Sequence, residues 1–186
     1  MTDPGFRMHA ERTPNPNSIK WVLGSPVAEA GVSASFGEPV GAAVSPLAAR
    51  LFGVQGITGV FFAPNFITVT KTDGVEWQDI AQELVDAIKA HVDSGEPATG
   101  PDYVQHTSGP AGEVEARIRE IIDAEIRPAV AMDGGDIVFA GYRDGRVELY
   151  LQGACSGCPS STATLKYGIE TRLREEIPEI TEVVAL

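Results

Sequence analysis

The stretch IVFAGYRDGRVELYLQ, residues 137–152, predicts a β-hairpin and decides the fold class of the chain around it. Asp144-Gly145 is a common two-residue turn between antiparallel strands. The flanking residues favour strands over Ile137–Tyr142 and Arg146–Gln152. One face of the second strand is expected to be buried, because side chains alternate between the faces of a sheet. Here three aliphatic residues alternate with more polar ones: Val147, Leu149 and Leu151 against Glu148, Tyr150 and Gln152.

Two helices and a last strand are predicted on either side of this hairpin. Glu113–Arg127 has the apolar spacing of an amphipathic helix, and Pro128 is expected to end it because proline has no N–H to donate. Ser161–Glu176 is predicted to be a second helix, and Thr181–Leu186 a final strand. The order α-β-β-α-β predicts a compact two-layer domain over residues 113–186.

The N-terminal half is predicted to be a separate small α/β domain over residues 6–93. Residues 94–112 contain three prolines and several glycines and serines without a sustained period, which is typical of a linker. The predicted fold class is therefore α/β of the α+β type, with two small two-layer domains joined by a flexible linker. The predicted elements of the first domain are a strand Ser18–Leu23, a helix Ser45–Leu51, a hairpin of Gly59–Ala63 and Phe66–Thr72, and a helix Trp77–Val92.

The charge and composition narrow the functional classes. The 186 residues include 14 Lys and Arg against 26 Asp and Glu, a formal net charge of -12. Nucleic acids and anionic membranes bind concentrated positive charge, so neither is an expected partner. No run approaches the roughly 20 apolar residues of a membrane span. The first residues lack the apolar core of a signal peptide and are too acidic for a mitochondrial transit segment. We therefore expect a cytoplasmic protein.

The only two cysteines of the chain, Cys155 and Cys158, are the candidate functional residues. They lie in GACSGCPSS, residues 153–161, between the second hairpin strand and the following helix. Their spacing lets both sulfurs reach one metal centre, and Gly153 and Gly157 allow the loop to curl. Cys158 is expected at a helix N-terminus, where free N–H groups and the helix dipole favour a thiolate. Two such sulfurs predict a soft-metal site.

Two sulfurs supply only half of a usual coordination shell. Structural zinc sites and iron–sulfur clusters normally take four protein ligands, and His9, His91 and His106 all lie outside the second domain. A second copy of the chain would complete a set of four cysteines around a two-fold axis. Two alternatives stay open: dithiol–disulfide chemistry at the same C-x-x-C motif, and a zinc-stabilised interaction module.

Three motifs resemble the Nfu family, whose C-terminal module is the NifU C-terminal domain. Met132-Asp133-Gly134-Gly135-Asp136 is similar to the glycine-bearing motif that precedes the first strand of that module, and residues 153–159 are similar to its cluster-binding loop. In the first domain, Thr13-Pro14-Asn15-Pro16-Asn17 followed by Ile19-Lys20-Trp21 resembles the opening of the Nfu N-terminal domain. The resemblance covers both halves in the order of the family.

This resemblance implies that Cys155 and Cys158 bind an iron–sulfur cluster shared between two subunits, usually [4Fe–4S], with [2Fe–2S] as the alternative. It implies a homodimeric carrier or late scaffold that receives the cluster from upstream scaffold proteins. The recipients would be apo-proteins such as lipoyl synthase or aconitase-type enzymes. The sequence shows no constellation for catalysis, so we do not expect an enzyme. From the modular arrangement alone, we expect the first domain to recognise partners.

Three further features receive structural interpretations. Asp133 and Asp136 could form a carboxylate pair, but the two glycines between them favour a turn at the edge of the cysteine loop. Residues 13–17 are expected to lead in extended form into the first strand, because X-Pro steps disfavour helix; a partner contact is the alternative. Each histidine is expected at the solvated surface.

Overall fold

The computed structural model describes residues 6–105, 112–156 and 159–186, with side chains for all of these except 159–161. The chain divides into two compact units, Met1–Gln105 and His106–Leu186. Both units contain helices and strands, which confirms the predicted α+β class. In the described part of the chain, no helix has an apolar stretch long enough to cross a membrane.

The first unit is a five-stranded antiparallel sheet whose core is shared with two helices. The strands follow the order β1 (Met8–Arg12), β2 (Ser18–Leu23), β5 (Phe66–Lys71), β4 (Ile57–Ala63) and β3 (Ala34–Phe36) across the sheet. The five elements predicted from the sequence are confirmed, whereas β1 and β3 were not predicted. Leu47 and Leu84, one from each helix, are fully buried together with Phe62 and Ile67 of the sheet. The elements in chain order are β1 (Met8–Arg12), β2 (Ser18–Leu23), β3 (Ala34–Phe36), α1 (Pro46–Phe52), β4 (Ile57–Ala63), β5 (Phe66–Lys71) and α2 (Trp77–Ser94).

Residues 13–17 form the turn between β1 and β2, which corrects the expected extended lead into a first strand. The Thr13 hydroxyl donates to the backbone carbonyls of Asn15 and Ser18. The side-chain oxygen of Asn15 accepts the Asn17 N–H at 3.0 Å. Such local side-chain hydrogen bonds to the backbone stabilise a turn in place of an extended strand.

The segment after α2 lies against the first unit, although we placed it in the linker. The Gly100 N–H donates to the Val44 carbonyl at 2.8 Å, and the Tyr103 hydroxyl donates to the Ser33 carbonyl at 3.1 Å. Gly100 packs so closely that an added Cβ would lie 2.2 Å from the carbonyl oxygen of Ala43. The first unit therefore extends beyond residue 93.

His91 is buried in the first unit, which corrects the expectation that every histidine lies at the surface. Its exposed fraction is 1%, and neither ring nitrogen has a hydrogen-bond partner among the described residues. Burial lowers the pKa of His91, and the nearby Arg50 guanidinium acts in the same direction against a weaker opposite effect of Glu96. The neutral imidazole is therefore the form that the folded unit accommodates.

We expect the first unit to lose stability as the pH falls below about 6.5, the ordinary pKa of histidine. Because the pKa of His91 is lower in the folded unit than in the unfolded chain, acid favours the unfolded chain, and this contribution is complete above that pH. His91→Leu should remove this part of the acid sensitivity, whereas His9→Leu, at an exposed site, should keep it. Urea unfolding at several pH values measures the effect through Trp21 and Trp77, the only tryptophans, both in the first unit. An unchanged acid slope in His91→Leu would contradict the interpretation.

The second unit is a three-stranded sheet of order β6-β7-β8 with helices packed against it. β6 and β7 form the predicted antiparallel hairpin, and β8 joins β7 in parallel. Ile118, Leu149 and Leu173 are fully buried in the core between the helices and the sheet. The elements are α3 (Glu113–Ile121), a π-type turn (Ile122–Ile126), α4 (Arg127–Met132), β6 (Gly135–Arg143), β7 (Arg146–Gly153), α5 (Pro159–Glu176) and β8 (Glu182–Ala185).

The helical segment at the start of this unit continues through Pro128, so the prediction that Pro128 ends it was wrong. The π-type turn Ile122–Ile126 separates α3 from α4. Pro128 stands in the first turn of α4, directly after the π-type turn. A wider turn relieves the clash between a proline ring and the preceding helical carbonyl. The helical segment therefore extends to Met132, directly before Asp133 and the two glycines.

Candidate metal centre

The cysteine loop leaves the sheet at the end of β7, where two glycines face each other. Gly135 at the start of β6 is the register partner of Gly153 at the end of β7. Gly153 has a φ of 67°, a conformation that favours glycine and turns the chain away from the strand direction. The Ala154 N–H then donates to the Gly134 carbonyl at 3.1 Å. The start of the loop is thereby fixed to the glycine motif.

Cys155 is buried at the base of this loop rather than displayed on it. Its exposed fraction is 7%, and it belongs to the hydrophobic core of the second unit. A Cβ added to Gly135 would lie 2.5 Å from the Cys155 sulfur, so the sulfur occupies the space that a side chain would fill. The Thr162 hydroxyl donates to the Cys155 carbonyl at 3.1 Å and joins the loop to the first turn of α5.

Burial raises the pKa of the Cys155 thiol to about 11, and the nearby carboxylates of Asp133 and Asp136 act in the same direction. The thiol is therefore protonated at neutral pH in this structure. For Cys155 this corrects the expectation of a deprotonated sulfur. Cys158, for which a thiolate at a helix N-terminus was expected, lies outside the described residues. A soft metal would bind the Cys155 sulfur with release of its proton.

The glycine motif is fixed by an ion pair that the sequence analysis missed. Asp136 is buried, and its two carboxylate oxygens accept hydrogen bonds from Nε and Nη2 of Arg127, both at 2.7 Å. The Ile137 N–H donates to the same carboxylate at 2.8 Å. Gly134 has a φ of 79°. This arrangement agrees with a structural turn at the edge of the loop and gives Asp136 a structural partner.

Several candidate ligands are not brought together. His9 lies within hydrogen-bonding distance of Glu11 at the surface of the first unit, His91 is buried there, and His106 lies outside the described residues. Across residues 6–105, 112–156 and 159–186, no group of three or more His, Cys, Asp and Glu side chains could hold a metal ion. The supporting roles of Arg127 and Thr162 have only weak signals in the sequence. Arg127 is an arginine beside a proline in a helix, and Thr162 is a hydroxyl residue shortly after the C-x-x-C motif.

Together these features define a two-domain α+β protein with a C-x-x-C loop at a strand–helix junction. The family described as "Scaffold protein Nfu/NifU N terminal" matches residues 8–95, and the family described as "NifU-like domain" matches residues 118–184. The chain belongs to the Nfu family.

Curated relatives match nearly the whole chain. It is 42% identical over 182 residues to the human protein named "NFU1 iron-sulfur cluster scaffold homolog, mitochondrial", covering 95% of this chain and 70% of the relative. A protein of the same name from Drosophila erecta is 40% identical over 185 residues, with 95% and 63% covered. "NifU-like protein 4, mitochondrial" from Arabidopsis thaliana is 40% identical over 183 residues, with 95% and 64% covered. The chain thus spans about two thirds of the length of these relatives.

The names of these relatives correct one expectation. All three are called mitochondrial. The cytoplasmic location expected from the composition of the first residues was therefore wrong, and the relatives point to the mitochondrion instead.

Proposed function

We propose that this chain is an iron–sulfur cluster scaffold and carrier that binds its cargo through Cys155 and Cys158. The observation that carries the proposal is the cysteine loop itself. It leaves β7 at Gly153, which pairs with Gly135, and it places Cys155 in the packed core of the second unit. Thiolate sulfur is the usual protein ligand of such clusters. The names of the human and Drosophila relatives, which call them iron-sulfur cluster scaffold homologues, support the same role.

The proposed cargo is a [4Fe–4S] cluster held between two copies of the chain. A cluster of this type takes four cysteine ligands, and the chain has two cysteines. Two copies related by a two-fold axis would therefore supply the complete set. Shared coordination also suits a cargo that must leave, because separation of the two copies removes half of its ligands at once.

Anaerobic reconstitution of the full chain with iron and sulfide tests this function. We expect a brown protein with about four iron and four sulfide per two chains, and native mass spectrometry should assign the cluster to a dimer. Transfer to an apo-protein such as aconitase should restore the activity of that recipient. A chain that stays colourless, or a monomer that holds the full content of iron and sulfide, would overturn the proposal.

The alternative of a thiol–disulfide oxidoreductase loses support from the surroundings of Cys155. Reactive cysteines in such enzymes are partly exposed and have a lowered pKa. Cys155 is buried, and its pKa is raised. The human and Drosophila relatives are likewise named as scaffolds, so we propose a non-enzymatic role in which cluster transfer is ligand exchange at iron.

We further propose that the first unit recognises the proteins that receive the cluster, with lipoyl synthase and aconitase-type enzymes as candidates. A chain reduced to residues 112–186 retains the core of the second unit and both cysteines. It should bind as much iron and sulfide as the full chain but deliver the cluster several-fold more slowly. Recipient activation over time measures delivery, and circular dichroism checks that the shortened chain folds. Equal delivery rates, or lost loading in a folded fragment, would contradict this division of roles.

A further inference from the structure

Gly135 is a glycine for a reason other than backbone conformation. The neighbouring Gly134 and the facing Gly153 both have positive φ, whereas Gly135 is not among the positive-φ glycines of the described chain. Its backbone lies in β6, in register with β7, and a strand disfavours glycine relative to residues with side chains. The requirement at this position must therefore come from space.

The space above the Gly135 Cα is occupied by the Cys155 thiol. A Cβ at this position would lie 2.5 Å from the Cys155 sulfur, 3.2 Å from the Cys155 Cβ and 2.8 Å from the backbone oxygen of Gln152. The Gln152 oxygen belongs to β7 and cannot move without disturbing the sheet. The cysteine side chain can be displaced, which would carry the sulfur away from β6, whereas the contact with the Gln152 oxygen would add strain to the pairing of β6 with β7.

Gly135 is held firmly enough to act as a floor for this sulfur. Asp136, the next residue, is clamped by the two guanidinium nitrogens of Arg127 at 2.7 Å. The Gly134 carbonyl on its other side accepts the Ala154 N–H. Gly134 thus joins the floor to the start of the cysteine loop, and Asp136 ties the floor to Arg127 of α4.

We propose that Gly135 is a positioning residue for the cluster ligand Cys155: its missing side chain seats the thiol inside the second unit and shields it from solvent until cargo binds. This inference rests on the proposed function, since it concerns a ligand of that cluster. The inference adds β6, through Gly135, to a site whose proposed ligands all follow β7. An alanine at this position expels the sulfur from its seat.

The test uses the full cluster-free chain with Cys158→Ser, so that Cys155 is the only thiol. Alkylation by iodoacetamide, followed by mass spectrometry, should be at least about tenfold slower in the folded protein than in concentrated urea, as expected for a buried group that reacts through local opening. Adding Gly135→Ala should remove most of this protection. Gly168→Ala is the matched control, because a Cβ at Gly168 meets nothing within 4 Å, and it should leave the protection intact.

A second measurement, with both cysteines present, links the seat to the cluster. After reconstitution, Gly135→Ala should show an altered visible circular dichroism spectrum and lose iron to a chelator several-fold faster than the unchanged protein and Gly168→Ala. A lower melting temperature with unchanged alkylation and cluster release would assign Gly135 a packing role only and overturn the inference.

The design stays decisive if Gly135→Ala fails to fold. Rapid alkylation of Cys155 in the folded Cys158→Ser chain would by itself overturn the proposed shielding. If the unchanged protein takes up no iron and sulfide, the proposed function fails instead, while the alkylation rates still report whether Gly135 seats the thiol.

Discussion

Replacing either Cys155 or Cys158 by serine is expected to abolish cluster binding while leaving the protein folded. A serine hydroxyl does not ionise near neutral pH and is a poor ligand for iron in such clusters, for which thiolates are preferred. In a symmetric dimer each substitution removes two of four ligands, so iron and sulfide should fall to background in both variants. Analysis of iron and sulfide after anaerobic reconstitution measures the loss, and circular dichroism reports the fold.

The Cys155→Ser variant should also lose stability, which provides an internal check. Cys155 is buried in the core, so Cys155→Ser places a hydroxyl there and should cost roughly 1–3 kcal/mol. Ser156→Ala is a matched control within the loop, since the Ser156 hydroxyl donates to the Gly153 carbonyl and is not a predicted ligand. It should retain full loading. A full-strength cluster in either serine variant would remove that cysteine from the ligand set.

The elements that the sequence predicted share one property, a strong local signal. The alternation in β7, the Asp144-Gly145 turn and the apolar stripe of α2 each depend on residues near one another in sequence. β1 and β3 lack such a signal because they are short strands at the two edges of the sheet. Their place is set by pairing with β2 and β4, which the local pattern does not contain.

The missed features of both units depend on tertiary contacts. His91 was assigned to the surface by residue type, yet it lies three residues after the buried Ile88 on the same stripe of α2. The passage of the helix through Pro128 depends on a π-type turn that proline rules alone do not predict. In each case a preference that holds for the isolated segment gives way to packing in the folded unit.

The sequence supplies the candidate ligands of the site but not their structural support. The C-x-x-C spacing and the family resemblance single out Cys155 and Cys158 from sequence. The contact between Gly135 and the Cys155 sulfur spans twenty residues of chain and arises only when β6 pairs with β7. The burial that raises the pKa of Cys155 has the same origin. Spacing therefore identified which residues could bind a metal but not the position from which one of them must do so.

The second large expected effect concerns Arg127, whose replacement by methionine should destabilise the second unit by about 3 kcal/mol. Methionine keeps much of the apolar stem but removes both donors from Asp136. The Asp136 side chain is 8% exposed and the Arg127 side chain 36%, so the carboxylate loses its charged partner in a poorly solvated position, although it still accepts the Ile137 N–H. Denaturant unfolding followed by far-ultraviolet circular dichroism measures the loss. The denaturant midpoint measured by the fluorescence of Trp21 and Trp77 should be the same as in the unchanged protein, because both tryptophans lie in the first unit.

Two comparisons separate the buried ion pair from a general effect of losing an arginine. Arg172→Met removes a guanidinium that contacts Glu125 at 2.7 Å on the surface, and it should destabilise the second unit much less than Arg127→Met because exposed pairs are screened by solvent. Adding Asp136→Asn to Arg127→Met removes the buried charge and should recover about half of the lost stability. Equal losses in Arg127→Met and Arg172→Met would mean that Asp136 is solvated well enough without its partner. The floor beneath Cys155 would then have to be held by the pairing of β6 with β7 alone.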